Sequence, residues 1–227
     1  MSTSASTLAI AKLSSAPESA GQIAAMLDHA GIEWHNMSCH NWADSYPYCP
    51  TVRFRAAHTG TVLLLNYDVC ERSIRAEATA DNGAVWEDSC CELFLQLGEG
   101  YYNIECNCGG ALLVGYGLDR HNRECAGSEI TSAIDRWTSI GRKHIPLTYM
   151  TQKDSTNADW HWQLSLIIPV ATFFHDGIAR LDGLSARCNL YKCGDKLDSP
   201  HFMSWRPVGT PRPDFHQPDF FGDCKFL

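Results

Sequence analysis

The hydrophobic rhythm of this chain changes once. Residues 20–30, AGQIAAMLDHA, place apolar side chains three and four positions apart, and the run stops before Gly31. That spacing draws one apolar stripe along a helix, and glycine accepts the left-handed turn that follows a helix end. Beyond Gly31 the period is two. Val52, Phe54 and Ala56 alternate with Arg53 and Arg55, as on a half-buried strand. Residues 62–69 are more apolar and predict a central strand. Residues 90–97 and 101–108 flank Gly98-Glu99-Gly100, and two alternating runs around a short glycine-rich link predict a hairpin. Further strands are expected at 110–116, 133–139, 161–168, 184–191 and 202–206. Pro169–His175 reads as one helical turn opened by its proline.

No alternation of helix and strand of the βαβ kind is present, and there is no internal repeat or linker-like stretch. The pattern predicts an all-β fold: one antiparallel β-sandwich, immunoglobulin-like or jelly-roll-like, with a short N-terminal helix. Residues 1–31 are expected to be an N-terminal extension carrying that helix, and 32–227 the sandwich domain.

Strand parity assigns the side chains of the hairpin. Cys91, Leu93, Leu95 and Leu97 share one face, which is the core. Glu92 and Phe94 share the other, with Asn103, Glu105 and Asn107 from the partner strand, and Trp86 on the same side just upstream. A ring to stack on, beside amides and carboxylates, is what a neutral polyol needs. Asn189 and Tyr191 share a face of a later strand. Trp205 precedes Arg206-Pro207, where a strand would end and its side chain could overhang the sheet edge.

Composition narrows the partners. A chain of 227 residues can bury its own core without staples, and its net charge of -8 argues against nucleic-acid binding. There is no apolar stretch long enough for a membrane span. The N-terminus shows no basic region followed by an apolar one, so a cytoplasmic location is the default expectation. The eleven cysteines include no C-x-x-C pair, and free structural thiols are expected rather than a metal centre. No cofactor is expected; calcium remains open without a named site.

The order of motifs is informative in itself. A T-V-R-F strand is followed by V-W-x-D-S-x-x-E-L-F-L, Y-Y-N-I-E-x-N-x-x-G and W-x-L-x-L-x-I-P, then N-x-Y, S-W-x-P and F-H-x-P-x-F-F-G. Over roughly Ile32 to Leu227 this resembles the family 9 carbohydrate-binding modules, and more closely the family-9-like proteins that stand as separate chains. The resemblance implies a non-catalytic β-sandwich that binds a saccharide, commonly by clamping a sugar ring between two tryptophans. Carried over by position, it implies Trp86 and Trp205 as the stacking rings, with Glu92 and Asn189 bonding hydroxyls and Tyr191 and Lys192 as further candidates. The structural reading stays open beside it: both tryptophans also suit a sandwich edge, Glu92 suits an ion pair, Trp162 suits the core, and Asp195 suits a turn.

Two other classes compete. Glu92 and Glu105 on one hairpin could be a hydrolase's carboxylate pair, although no nucleophile or metal motif accompanies them. A sandwich that binds only another protein is the second, with no partner identified. His201 and His216 lie in proline-flanked segments, where turn-stabilising bonds are expected rather than metal ligation.

Overall fold

The computed structural model describes residues 7–149 and 159–227; the first six residues, on which part of the leader reading rests, lie outside them. Among the described residues sixteen strands run in chain order: β1 (Leu8–Lys12), β2 (His35–Asn36), β3 (Cys39–His40), β4 (Thr51–His58), β5 (Val62–Glu71), β6 (Ser73–Ala76), β7 (Cys90–Gln96), β8 (Tyr101–Asn107), β9 (Leu112–Gly117), β10 (Arg123–Cys125), β11 (Asp135–Thr138), β12 (Ile145–Tyr149), β13 (Trp160–Pro169), β14 (Ser185–Cys193), β15 (Phe202–Ser204) and β16 (Gly222–Phe226). Two short helices, α1 (Ile23–His29) and α2 (Ser128–Ala133), complete them.

Eleven of these strands form one path, β10-β9-β8-β7-β14-β16-β1-β4-β5-β13-β11, that folds back on itself into two layers; β2 pairs with β4, β15 with β14 and β3, and β12 pairs with β6 in a separate two-stranded sheet. The turning point is β1. Leu8, Ala9 and Ile10 pair in parallel with β16, whereas Ala11 and Lys12 pair in parallel with β4. One five-residue strand thus belongs to both sheets. The segment expected as an extension therefore supplies a strand to the sandwich, and α1 packs Ile23 and Leu27 against Ala57 and Leu64 of the second sheet. Gly31 takes φ +68 after α1, the left-handed stop that the sequence predicts.

Between the layers lies the main core. Leu93, Leu95 and Ile104 come from the first sheet, and Phe54, Leu65, Val69, Leu164 and Leu166 from the second. Trp162, 1% exposed, is in this core as expected. Tyr67 reaches from β5 across the core and donates to the carbonyl of Glu92 at 2.8 Å. This fixes the height of β7 over the second sheet.

The hairpin forms from the expected runs, and its register sets Glu92 opposite Glu105 and Phe94 opposite Asn103. The 133–139 segment is corrected: Ala133 ends α2, and the strand begins at Asp135. The predicted turn after Pro169 is a single 3-10 turn over Val170–Thr172. Among the described residues no helix is long and apolar enough to cross a membrane.

Candidate functional site

The outer face of the first sheet is not bare. A second apolar cluster covers it, with Val85, Phe94, Tyr101, Tyr191, Phe202, Phe215 and Phe221 buried together. Loops 41–48 and 205–221 supply much of this cover. They stop short over the middle of β7, β8 and β9 and leave a cavity of about 290 Å³ there. Glu92, Asn103, Glu105 and Gly115 line it, as do Phe202 and Phe215. Trp86, Arg120, Arg123, Asp195 and Asp214 also contribute to its lining.

Trp86 stands on a 3-10 turn, Val85–Glu87, that the sequence holds tightly. Val85 is buried below it. Asp88 is fully buried and accepts bonds from Arg75, the backbone N–H groups of Glu77 and Ala78, and Asn107, at 2.7–3.1 Å. The Trp86 carbonyl accepts from the Asp195 N–H at 3.3 Å and from Cys193 Sγ at 3.4 Å. With its backbone pinned on both sides, the indole is left 40% exposed. An indole is the largest apolar surface a residue can present.

The cavity floor carries two carboxyls side by side. Glu92 accepts from Cys193 Sγ at 2.9 Å, and Asn103 donates to Glu105 Oε1 at 2.7 Å. Asn103 is in turn held by Arg123 Nε and Nη2 at 3.0 and 2.6 Å, while that guanidinium lies 4.3 Å from the Tyr101 ring centre. Gly115 faces Asn103 across the ladder; a Cβ there would stand 2.5 Å from Asn103 Oδ1, so only glycine leaves the amide in place. Glu105 Oε2 is buried and has no hydrogen-bond partner among the described residues. An unpaired buried carboxylate oxygen is costly, and the cavity is where a ligand could meet it.

Burial sets the protonation of this pair. It pushes Glu92 well above the usual carboxyl range, with the facing Glu105 adding to the shift. Glu105 is pushed up to about 7 by burial, against the Asn103 bond and Arg123. Asp195, at the rim, is raised to about 6 by the protein around it. His216 is forced down to about 3 by its burial, so it is a neutral ring whose Nδ1 meets the Tyr101 hydroxyl at 3.0 Å. A carboxyl whose pKa is higher folded than unfolded stabilises the fold fully below the unfolded value, and that contribution fades as pH rises through the folded value. Glu105→Gln should therefore gain stability relative to the natural chain as pH goes from about 5 to about 8. Denaturant midpoints of the two proteins across that range would check this. Parallel curves would mean that Glu105 ionises as freely folded as unfolded.

Of the six residues expected at the site, the structure brings Trp86 and Glu92 together. The other four lie elsewhere. Lys192 points into the core between the sheets, because it neighbours outward-facing Tyr191 and strand parity sends it the other way. Its Nζ bonds Glu71 Oε2 and meets His201 Nε2, both at 2.8 Å. Tyr191 is buried under the cavity wall, stacked on Phe215 at 4.0 Å between centroids. Asn189 is consumed by backbone: its amide donates to the Arg206 carbonyl and accepts from the Leu190 and Arg206 N–H groups. Trp205 is half-buried against the main core, edge-on to Phe54 with Arg206 over its face. His201 lies in the Lys192–Glu71 cluster, which goes beyond the turn role expected of it. The eleven cysteines are all free thiols.

Sequence reasoning passed over Arg120, Arg123, Phe202, Phe215 and the opposite wall generally. Arg120 and Phe215 arrive from loops without periodic pattern, while Arg123 and Phe202 open the short strands β10 and β15. Trp42, at φ 54, braces that wall by packing on Phe202 and Phe215 and donating to the Thr210 carbonyl at 2.6 Å.

A family model described as "Carbohydrate-binding family 9" matches residues 21–226. The fold is similar to that of a candidate carbohydrate-binding protein from Bacteroides uniformis ATCC 8492, with 41% identity, a TM-score of 0.90, and coverage of 97% of this chain and 99% of that one. It is also similar to a family 9 carbohydrate-binding module from Caldicellulosiruptor kristjanssonii in complex with glucose, at 10% identity and a TM-score of 0.61, covering 98% and 96%. A module of the same family and organism in complex with cellotriose gives 10% identity and a TM-score of 0.58, covering 97% and 93%. No curated protein matches the chain.

Proposed function

This chain belongs to carbohydrate-binding family 9, and from that premise we propose that the cavity beside Trp86 holds a saccharide and does no chemistry on it. The carrying observation is an exposed indole at a cavity of about 290 Å³ floored by two carboxyls that burial keeps towards their neutral forms. A sugar hydroxyl both donates and accepts. A protonated carboxyl does the same, so Glu92 can answer a hydroxyl in both senses, and Glu105 Oε2 offers a bond that no described residue takes. The indole of Trp86 suits the apolar C–H face of the ring. The cavity is at the small end of ligand pockets, which run from ~300 to ~1,000 Å³, and suits one or two sugar rings. Phe202 and Phe215 form its opposite wall, in place of a second tryptophan.

The placement of the carboxyls favours binding over hydrolysis. Glycosidases set their two carboxyls on either side of the scissile bond. Glu92 and Glu105 stand opposite each other on adjacent strands of one sheet and face the same cavity. Both address the same side of a ligand. Glucose, cellotriose and a panel of other saccharides, titrated while tryptophan emission is followed, would test the reading. A saturable change without loss of the sugar supports it. Silence towards every sugar would reject it, and release of a reducing end would favour the hydrolase.

A further inference from the structure

We propose that Cys90, Cys193 and Glu92 form a binding site for one zinc ion at the inner end of this cavity. Cys90 on β7 and Cys193 on β14 are direct cross-strand partners, and Glu92 lies two residues along β7 on the same face. Their donor atoms all fall within 4.8 Å of one another, and all three side chains are buried. Among the described residues this is the one group of three such donors.

A tetrahedral zinc ion has bonds of ~2.3 Å to sulfur and ~2.0–2.2 Å to carboxylate oxygen, which sets its ligands under ~4 Å apart. The three side chains would have to turn towards a common point to close from within 4.8 Å to that spacing. Two thiols and one carboxylate select a borderline-soft ion and disfavour calcium or magnesium, which take oxygen ligands. On binding, both thiols lose their protons to solvent, as does the Glu92 carboxyl when it carries one, and two Zn–S bonds and one Zn–O bond form. Because binding displaces these protons, it weakens as pH falls. Three protein ligands leave a fourth position, and Cys193 and Glu92 both line the cavity. That position therefore opens where the saccharide is proposed to sit.

The site does not depend on the sugar reading, and no sugar enters its test. The reduced full-length protein is titrated with Zn²⁺ against a chromophoric chelator, then with Co²⁺, whose sulfur-to-metal absorption reports thiolate ligands. One ion per chain is expected, with the thiolate band. Cys90→Ser and Cys193→Ser should each weaken binding by more than the ~10–100-fold typical of losing an outer-shell partner. Glu92→Gln should keep the thiolate band and bind more weakly, and Cys49→Ser, at an exposed thiol away from the cavity, should bind normally. Alkylation mapped by peptide in the natural chain decides the matter even where a serine variant misfolds: zinc should protect Cys90 and Cys193. Absent binding, protection of other cysteines instead, or a Cys90–Cys193 disulfide that resists mild reduction would each overturn the proposal.

Discussion

Trp86→Ala is expected to weaken saccharide binding about 30-fold while leaving the unfolding transition where it is. An indole face covered by a sugar ring hides about 80 Å² of apolar surface, worth about 2 kcal/mol, and that difference is about 30-fold in Kd. The fold should not notice. The turn beneath Trp86 is held by buried Val85, by the four bonds to Asp88 and by the Trp86 carbonyl, none of which uses the indole. Trp205→Ala is the matching control. That ring packs on Phe54 and under Arg206, so its loss should lower stability and spare affinity. If Trp205→Ala abolished binding in a folded protein and Trp86→Ala did not, the ligand would sit elsewhere and the cavity reading would fail.

The largest expected loss of stability is at Lys192. Its ammonium is fully buried between the sheets, bonded to Glu71 Oε2, to the Cys193 carbonyl and to His201, while Trp162 donates to Glu71 Oε1 at 2.8 Å. Burial works against the charge, but Glu71 beside it prevails and holds the Lys192 pKa above its ordinary value. Lys192→Met keeps the volume and leaves Glu71 facing a core without its cation. Removing one partner of a buried pair costs about 3–5 kcal/mol, enough to leave many domains barely folded. Adding Glu71→Gln should recover much of the loss, because the second change removes the stranded charge. Chemical denaturation of the two single variants and the double variant would show this as a favourable coupling. Additive losses would mean that the pair contributes nothing as a pair.

These two residues also show what the chain discloses before it is folded. Period-two alternation placed the hairpin and the outward set Glu92, Asn103, Glu105 and Asn107, because parity is a local property. The same rule, applied one residue further, would have excluded Lys192 from any face that holds Tyr191. Position in a motif suggested Trp205 and Asn189, but the backbone around 205–206 turns that amide and that ring to structural use. Two strands that go on to pair in parallel, β1 and β16, carried too few residues to signal themselves. The wall of Phe202 and Phe215 and the arginines of the 120–123 segment depend on where loops and the short strands β10 and β15 come to rest. Pairing across long stretches of chain decides that, and no local pattern reports it.

One of those short strands has a temporal consequence. Leu8 lies opposite Cys224 and Ile10 opposite Phe226, so β1 cannot take its place beside β16 until the residues around 222–226 have left the ribosome. Until then Leu8 and Ile10, both buried in the finished core, lack their β16 partners Cys224 and Phe226. The sandwich is thus closed by a clasp whose two halves are made far apart in the chain. The nascent chain can assemble its hairpins early, but the two layers lock together late, and a chaperone that shields an exposed edge has its moment in that interval.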